Sequence, residues 1–333
     1  MRSFVLKVLM PILKLTRGFP FKDRYSGEVQ ILMLHRVVDS IGENRINNDG
    51  IEITRDYLEY LINFYLKNKF IPISIDDFSK LKGGKSKERY VVFSFDDGYL
   101  DNYEKALPIF EKYNVPFAVY ISTDFIFKKQ FAWWYFLEDL INANSEIRYL
   151  NKGGEPIVLN KESRADKVDC FVKMRGVIQN DISILTQLID AYKPDINKYY
   201  NLFLNTEQLA LFAKHPLVTI GSHSLSHPSL AKCTDEESLN EIYNSKHELE
   251  KIIEKPVMHF SYPFGTTNDV SKREMKNVKE AGYLTALTTS YGDVYINKDT
   301  NLFALNRIWT GNDNAEKELY ETIYGINAYR KKS

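Results

Sequence analysis

Residues Tyr90–Gly98 read YVVFSFDDG, and this stretch decides the fold. Its first six residues are mostly apolar on consecutive positions, which is typical of a parallel strand that is buried on both faces. The run ends in two adjacent carboxylates, Asp96 and Asp97, which are followed by Gly98. Carboxylates at the end of a buried strand are costly to desolvate unless a cation or a reaction uses them. The alternative is an Asp-Gly turn that caps a helix, and this motif alone does not exclude it.

Similar apolar runs recur along most of the chain, and amphipathic segments lie between them. One of these segments is a helix capped by Thr54, and two others are Tyr103–Tyr113 and Thr234–Glu254. Strand–helix alternation of this length predicts an α/β fold, either a barrel or a doubly wound sheet. The predicted strands are Val29–His35, Phe70–Ile75, Tyr90–Phe95, Phe117–Ile121, Leu217–Ile220, Val257–Tyr262, Tyr283–Leu287 and Phe303–Ile308.

Residues 127–205 break this alternation, because they show only helical patterns and a polar loop near residues 151–156. We interpret them as a helical insertion that packs over the main domain. The predicted organisation is a basic, apolar N-terminal segment at residues 1–26 and one domain at 27–333 that contains the insertion.

Two histidines follow another predicted strand in the sequence His223-Ser224-Leu225-Ser226-His227-Pro228. They are four positions apart, so one turn of chain can bring both imidazoles to one side. Two imidazoles and one carboxylate are a common ligand set for catalytic zinc. A polar surface loop is the alternative. Because the carboxyl ends of parallel strands meet at one rim, the pair is expected to lie near Asp96 and Asp97.

The composition limits the function classes. The 333 residues carry 44 Lys and Arg and 44 Asp and Glu, a formal net charge of zero, which argues against a nucleic-acid partner. The two cysteines, Cys170 and Cys233, cannot form a disulfide framework.

The N-terminal residues 1–22 are largely apolar but carry five basic residues, and Lys7 and Lys14 interrupt any run long enough to span a membrane. An uninterrupted signal-peptide core is missing as well. The sequence therefore predicts a cytoplasmic protein. Residues 1–22 either rest on a membrane surface as a peripheral contact or form a helix packed on the domain.

Three motifs resemble those of the polysaccharide deacetylases, the carbohydrate esterase family 4 with its NodB homology domain. They are Ser94-Phe95-Asp96-Asp97-Gly98, the histidine motif above, and Tyr262-Pro263-Phe264-Gly265. The resemblance implies a distorted (β/α) barrel and a metal-dependent hydrolase that removes N-acyl groups, such as acetyl, from amino sugars of a glycan or its precursor. It implies that Asp97, His223 and His227 bind the metal and that Asp96 is the general base. The backbone N–H of Phe264 would stabilise the oxyanion and Ser224 would orient the histidine loop. Zinc is the expected metal, and cobalt, nickel or iron also suit such ligands.

The chain departs from the family pattern at two positions. The third motif is preceded by Phe260-Ser261 where the family usually has an arginine that tunes the base, and Arg307 is the candidate substitute. In addition, no histidine follows His259, so the usual general acid is missing. His35, at the end of the first predicted strand, is the candidate acid, as in a family branch that takes this histidine from an N-terminal strand. A polar contact at a strand end is the alternative for His35.

Aromatic residues supply candidate surfaces for sugar rings, and core packing is their alternative role. Two other functions remain open: deacylation of a small or lipid-linked sugar, and a degenerate module that binds metal and sugar without catalysis. The candidate substrate contacts are Tyr262, Trp133, Trp134 and Trp309.

Overall fold

Seven parallel strands close into a barrel in the described part of this computed structural model, which covers residues 26–46, 48–78, 80–81, 88–160, 162–297, 299–311 and 316–326. The closed order is β1-β12-β11-β10-β9-β6-β5, since β5 also pairs with β1. The strands are β1 Val29–Leu34, β2 Arg36–Val38, β3 Glu52–Thr54, β4 Phe70–Pro72, β5 Arg89–Phe95, β6 Phe117–Ile121, β7 Glu146–Leu150, β8 Pro156–Asn160, β9 Val218–Ser222, β10 His259–Ser261, β11 Thr285–Tyr291 and β12 Leu305–Trp309.

Helices connect the strands and cover the outside of the barrel. The predicted cap at Thr54 is present, because its side chain accepts from the backbone N–H of Tyr57. The helices are α1 Arg55–Lys67, α2 Ile75–Phe78, α3 Leu107–Tyr113, α4 Thr123–Ile126, α5 Trp133–Ala143, α6 Arg164–Asn180, α7 Ser183–Tyr192, α8 Asn197–Tyr200, α9 Thr206–Phe212, α10 Asp235–Ile253, α11 Lys272–Glu280 and α12 Glu316–Ile323.

The expected barrel is confirmed, and the strand pattern explains it. Alternate residues of β5 pack on opposite sides: Val91, Phe93 and Phe95 join the large cluster beneath the outer helices. Val92 belongs instead to a smaller cluster with residues of β1, β6, β11 and β12, which fills the barrel. Both sides of the strand are therefore buried, as its unbroken apolar run predicts.

The predicted strand Phe70–Ile75 is too long at its carboxyl end. β4 ends at Pro72, and Ile75 begins α2. The difference arises because Ser74 starts a turn, in which its hydroxyl accepts from the backbone N–H of Asp77.

The insertion at residues 127–205 is not purely helical. It consists of α5, α6, α7 and α8 together with an antiparallel hairpin of β7 and β8. The turn of this hairpin is the predicted polar loop, in which the Asn151 side chain accepts from the backbone N–H groups of Gly153 and Glu155. Ile147 and Tyr149 point inward while their neighbours are more exposed, so the missed signal is a short period-2 alternation.

The predicted N-terminal membrane contact at residues 1–22 lies outside the described residues and stays a prediction. Within the described ranges, no helix combines the length and the apolar character needed to cross a bilayer.

Candidate metal centre

The Asp-Asp-Gly turn after β5 separates its two carboxylates. Asp97 and Gly98 both have left-handed backbone, with φ of 75° and 84°. A Cβ on Gly98 would also lie 2.8 Å from the Ile121 side chain, so the position requires glycine. This bend directs Asp96 and Asp97 towards different partners.

The histidine loop after β9 places both imidazoles beside Asp97. Nε2 of His223 lies 3.4 Å and Nε2 of His227 lies 3.3 Å from the same Asp97 oxygen, Oδ1. Nδ1 of His223 donates to the Ser261 carbonyl at 2.7 Å. A carbonyl can only accept, so Nδ1 carries a proton, and in the neutral imidazole Nε2 then has the lone pair that binds a metal ion.

The loop between the two histidines is held from both sides. The Ser224 hydroxyl accepts from the backbone N–H of His227 at 3.1 Å. The Glu241 carboxylate, on α10, accepts from the backbone N–H groups of Leu225 and Ser226, both at 2.9 Å, and from the Ser226 hydroxyl at 2.6 Å. These bonds stabilise a loop in which Ser224 and His227 have positive φ.

A divalent metal ion fits Asp97, His223 and His227. Their ligand atoms all lie within 4.8 Å of one another. Oδ1 of Asp97 is buried and has no hydrogen-bond partner among the described residues, although two imidazole nitrogens face it. Burial acts to raise the pKa of Asp97, but the two imidazoles hold it well below its ordinary value. Two imidazole nitrogens and a carboxylate oxygen suit several divalent metals, zinc among them.

Asp96 is held by Arg307, which lies on β12 and is fully buried. Nη1 of Arg307 donates to Oδ1 at 2.9 Å, and Nη2 lies 2.7 Å from Oδ2. Nε of Arg307 donates to the Thr288 carbonyl at 2.9 Å, which fixes the guanidinium. Burial acts to raise the pKa of Asp96, but Arg307 and His223 outweigh it and lower the pKa below its ordinary value. The carboxylate is therefore ionised and oriented.

His35 follows β1, the neighbour of β12 in the barrel, and lines the same cavity as Asp96 and Asp97. Its carbonyl accepts from the side-chain amide of Asn102 at 2.8 Å. Burial lowers the pKa of His35 despite the attraction of Asp97 and Asp96.

The cavity above these groups, here called the rim cavity, has a volume of about 330 Å³. Phe264, with left-handed φ of 58°, packs its ring 4.8 Å from that of His227 and lies in the cavity wall. Trp133, Trp134 and Trp309 line the cavity too. Two of these indoles donate hydrogen bonds: Nε1 of Trp134 to the Tyr99 hydroxyl at 3.1 Å and Nε1 of Trp309 to the Gly50 carbonyl at 2.9 Å.

The structure does not place Tyr262 in the rim cavity. Its ring is fully buried in the cluster beneath the outer helices, and its hydroxyl donates to the Phe303 carbonyl at 3.0 Å. Tyr262 directly follows β10 and continues its alternation, so it lies on the same side as Phe260, which faces the helices and not the rim cavity.

The remaining histidines lie away from the metal centre. His259 is buried between Asp76, 3.0 Å from Nε2, and Thr285, 2.8 Å from Nδ1. His215 lies 3.1 Å from Glu111, and His247 is exposed on α10.

Several contributors escaped the sequence analysis. Glu241 is a helix residue that reaches the histidine loop only through the fold. The wall residues Phe171 and Arg175 come from α6 of the insertion. The sequence pattern of α6 could have indicated Phe171 and Arg175 only if the face of α6 that meets the barrel were known.

The comparisons with known proteins agree with this fold and site. The family model "Polysaccharide deacetylase" matches residues 83–157 and 178–285, more than half of the chain. The chain therefore belongs to the polysaccharide deacetylase family. The match includes Asp96, Asp97, His223, His227 and Phe264, whereas His35 and Arg307 lie outside it.

A curated relative and several solved structures are similar to the chain. YxkH of Bacillus subtilis (strain 168), which carries the same family name, is 21% identical over 224 residues; the match covers 67% of this chain and 52% of YxkH, so the chain spans about half of that relative. The deacetylase PplD of Streptococcus pyogenes, solved with acetate, shares 16% identity with a TM-score of 0.58, covering 89% of this chain and 97% of PplD. A de-N-acetylase from Aggregatibacter actinomycetemcomitans shares 17% identity with a TM-score of 0.56, covering 88% of this chain and 99% of that one. Similarity at these identities shows a common fold.

Proposed function

We propose that this protein is a metal-dependent hydrolase that removes N-acyl groups, acetyl in the simplest case, from an amino sugar in a glycan or glycan precursor. The observation that supports this most is the convergence of a metal-ligand triad, a buried ionised carboxylate and a histidine in one cavity. Zinc is the proposed metal because the three ligands leave a position open for water and substrate.

In this reaction the water oxygen bonds to the acyl carbon and the bond from that carbon to nitrogen breaks. A metal at the triad supplies Lewis acidity, which polarises the acyl carbonyl and lowers the pKa of water. Asp96 accepts the proton of the attacking water, since Arg307 keeps its carboxylate ionised and aimed. The backbone N–H of Phe264 donates to the acyl oxygen as negative charge develops there.

His35 donates a proton to the leaving nitrogen, so that a neutral amine departs with a carboxylate product. Its position on the cavity wall beside Asp96 and Asp97 supports this role. The lowered pKa of His35 makes its protonated imidazolium a stronger donor.

The Asp96–Arg307 pair also bears on the alternative of a degenerate binding module. The main argument for degeneracy is the missing arginine before the third motif. In this chain a buried arginine contacts both oxygens of Asp96, although it comes from another strand. This favours an active enzyme.

Acetate release from oligomers of N-acetylglucosamine tests the proposal. The protein stripped of metal should be inactive, and zinc, cobalt, nickel or iron should be compared for restoring turnover. Asp96→Asn should abolish turnover while the metal content stays at one ion per chain, because Asp96 is not in the ligand triad. Full activity of this variant, or no metal-dependent release from any N-acyl sugar tried, would contradict the proposal.

A further inference from the structure

A second cavity lies next to the rim cavity. This outer cavity has a volume of about 620 Å³. It shares Trp133, His227 and Phe264 with the rim cavity. The two cavities therefore adjoin at a wall that contains the candidate metal ligand His227, and together they are here called the cleft.

One helix of the insertion, α6, runs along both parts of this cleft. Phe171 and Arg175 line the rim cavity, and Ile178, Gln179 and Asn180 line the outer cavity. Phe171 and Arg175 are four residues apart, so they project from the same face of the helix. Phe171 is fully buried, while Arg175 is exposed. The family model skips residues 158–177, so both side chains belong to a part of α6 that the model does not match.

Arg175 differs from the other charged groups of the rim cavity because it has no ion-pair partner among the residues that the structure describes. Asp96 is neutralised by Arg307, and Asp97 faces two imidazoles. Over the described ranges of the chain, no carboxylate lies within 4.0 Å of a nitrogen of Arg175. Much of the nearby wall is apolar, and it includes Phe171, Trp133 and Trp134. A free guanidinium at such a wall is well suited to bind a phosphate or carboxylate through two parallel hydrogen bonds.

We propose that α6 selects the substrate and that Arg175 binds an anionic group, a phosphate or a carboxylate, carried by the same N-acylated amino-sugar molecule whose acyl group reacts at the triad. This inference rests on the proposed function and narrows its substrate class from amino sugars in general to anionic ones. The recognition step is non-covalent and leaves the hydrolytic reaction unchanged.

A selectivity ratio tests the inference in the zinc-loaded full-length protein. The substrates are a neutral N-acetylglucosamine oligomer, N-acetylglucosamine 1-phosphate for the phosphate arm, and an oligosaccharide containing N-acetylmuramic acid for the carboxylate arm. Arg175→Gln should lower the ratio of kcat/KM for the anionic over the neutral substrate about tenfold, chiefly through KM, because it removes a charge-assisted hydrogen bond. Arg175→Lys should keep most of the ratio. If the ratio falls for N-acetylglucosamine 1-phosphate, the bound anion is a phosphate; if it falls for the muramic-acid oligosaccharide, the anion is a carboxylate.

Lys173→Gln is the matched control, because Lys173 is an exposed cation on the same helix that is not part of the cleft lining. It should leave the ratio unchanged. An equal change with Lys173→Gln, or an unchanged ratio with Arg175→Gln in both arms, would overturn the inference.

A binding measurement separates this inference from the proposed function. In the Asp96→Asn background, N-acetylglucosamine 1-phosphate and the muramic-acid oligosaccharide are titrated calorimetrically, with and without Arg175→Gln. A roughly tenfold rise in Kd for one of them supports anion binding by Arg175 even if no substrate is turned over. An unchanged Kd for both contradicts it even if the protein proves to be a deacetylase.

Discussion

The barrel supplies the candidate metal ligands and the candidate general base, and the insertion supplies much of the cavity wall. Asp96, Asp97 and His223 follow the ends of β5 and β9, and Arg307 lies in the middle of β12. Trp133, Trp134, Phe171 and Arg175 come from α5 and α6 of the insertion. The two regions also have separate apolar clusters: one lies beneath the outer helices of the barrel and another within the insertion.

The insertion is attached to the barrel rim by buried charges. Glu138 on α5 is fully buried and accepts from Arg45 at 2.9 Å and from the backbone N–H of Ile46 at 2.6 Å. Arg45 also lies 3.0 Å from Glu52 on β3, to which the Tyr135 hydroxyl donates at 2.8 Å. Buried ion pairs thus hold the insertion, whereas the barrel strands position the candidate metal ligands. The insertion that forms the cavity wall can therefore change without displacing these ligands.

The largest expected effect is on the barrel side. Asp97→Asn should remove metal binding and lower kcat/KM by about 10³-fold or more, since an amide is a weak ligand and Lewis acidity is worth several kcal/mol. Asparagine tolerates the left-handed backbone of this position, so folding should be preserved. Metal analysis and thermal unfolding check both statements. Retention of a full complement of metal would show that Asp97 is not a ligand.

A smaller effect is expected where the barrel's outer helix holds the ligand loop. Glu241→Gln should weaken metal affinity about 10- to 100-fold, as is typical when a group that orients metal ligands is lost. Competition with a metal-binding dye measures it. Glu236→Gln, an exposed position on the same helix, is the control and should not change the affinity. Equal affinities for both variants would show that Glu241 does not support the ligands.

The pH dependence tests the Asp96–Arg307 pair. Arg307 lowers the pKa of Asp96, so Arg307→Gln should raise that pKa. A general base acts when it is ionised. The acidic limb of the kcat/KM profile should therefore move to higher pH. At pH values on the acidic limb, the variant should be about tenfold slower than the original protein. Arg307→Lys keeps the charge and should shift the limb less. A profile with an unmoved acidic limb would contradict the role of Asp96 as the base.

A substitution in the insertion should change stability and substrate binding but not metal binding. Glu138→Gln should lower the free energy of unfolding by about 2 kcal/mol, because it removes a buried, hydrogen-bonded charge, and should raise KM with metal affinity unchanged. Denaturant unfolding and metal titration measure the two. Asp139→Asn, the neighbouring and more exposed carboxylate that pairs with Lys198, should cost less than about 1 kcal/mol. Weaker metal binding in Glu138→Gln would show that wall and ligands are not independent.

The sequence predicted the barrel better than the insertion for a physical reason. Parallel strands that are buried on both faces leave an unbroken apolar run, and β5 and β6 show it clearly. The hairpin of β7 and β8 leaves only a few alternating residues between long helical patterns, so it was missed. The three motifs could be recognised because each consists of residues that are adjacent in the sequence.

The contributors that were missed or left open depend on contacts between distant residues. Asp96 and Arg307 are 211 positions apart, so their pairing was a suggestion until β5 and β12 were placed around one barrel. Tyr262 was a candidate substrate contact because it is aromatic, but it follows β10 with its ring turned to the helices.

By itself, the sequence determined the α/β fold class and located the motifs that carry the candidate metal ligands Asp97, His223 and His227 and the candidate general base Asp96. It did so because strand burial and each single motif are properties of residues that are close together in the chain. Only the tertiary structure decided that Arg307 holds Asp96, that His35 shares the cavity with it, and that α6 brings Arg175 to the cleft. Those placements depend on barrel closure and on the packing of the insertion, which set the distances between residues far apart in sequence.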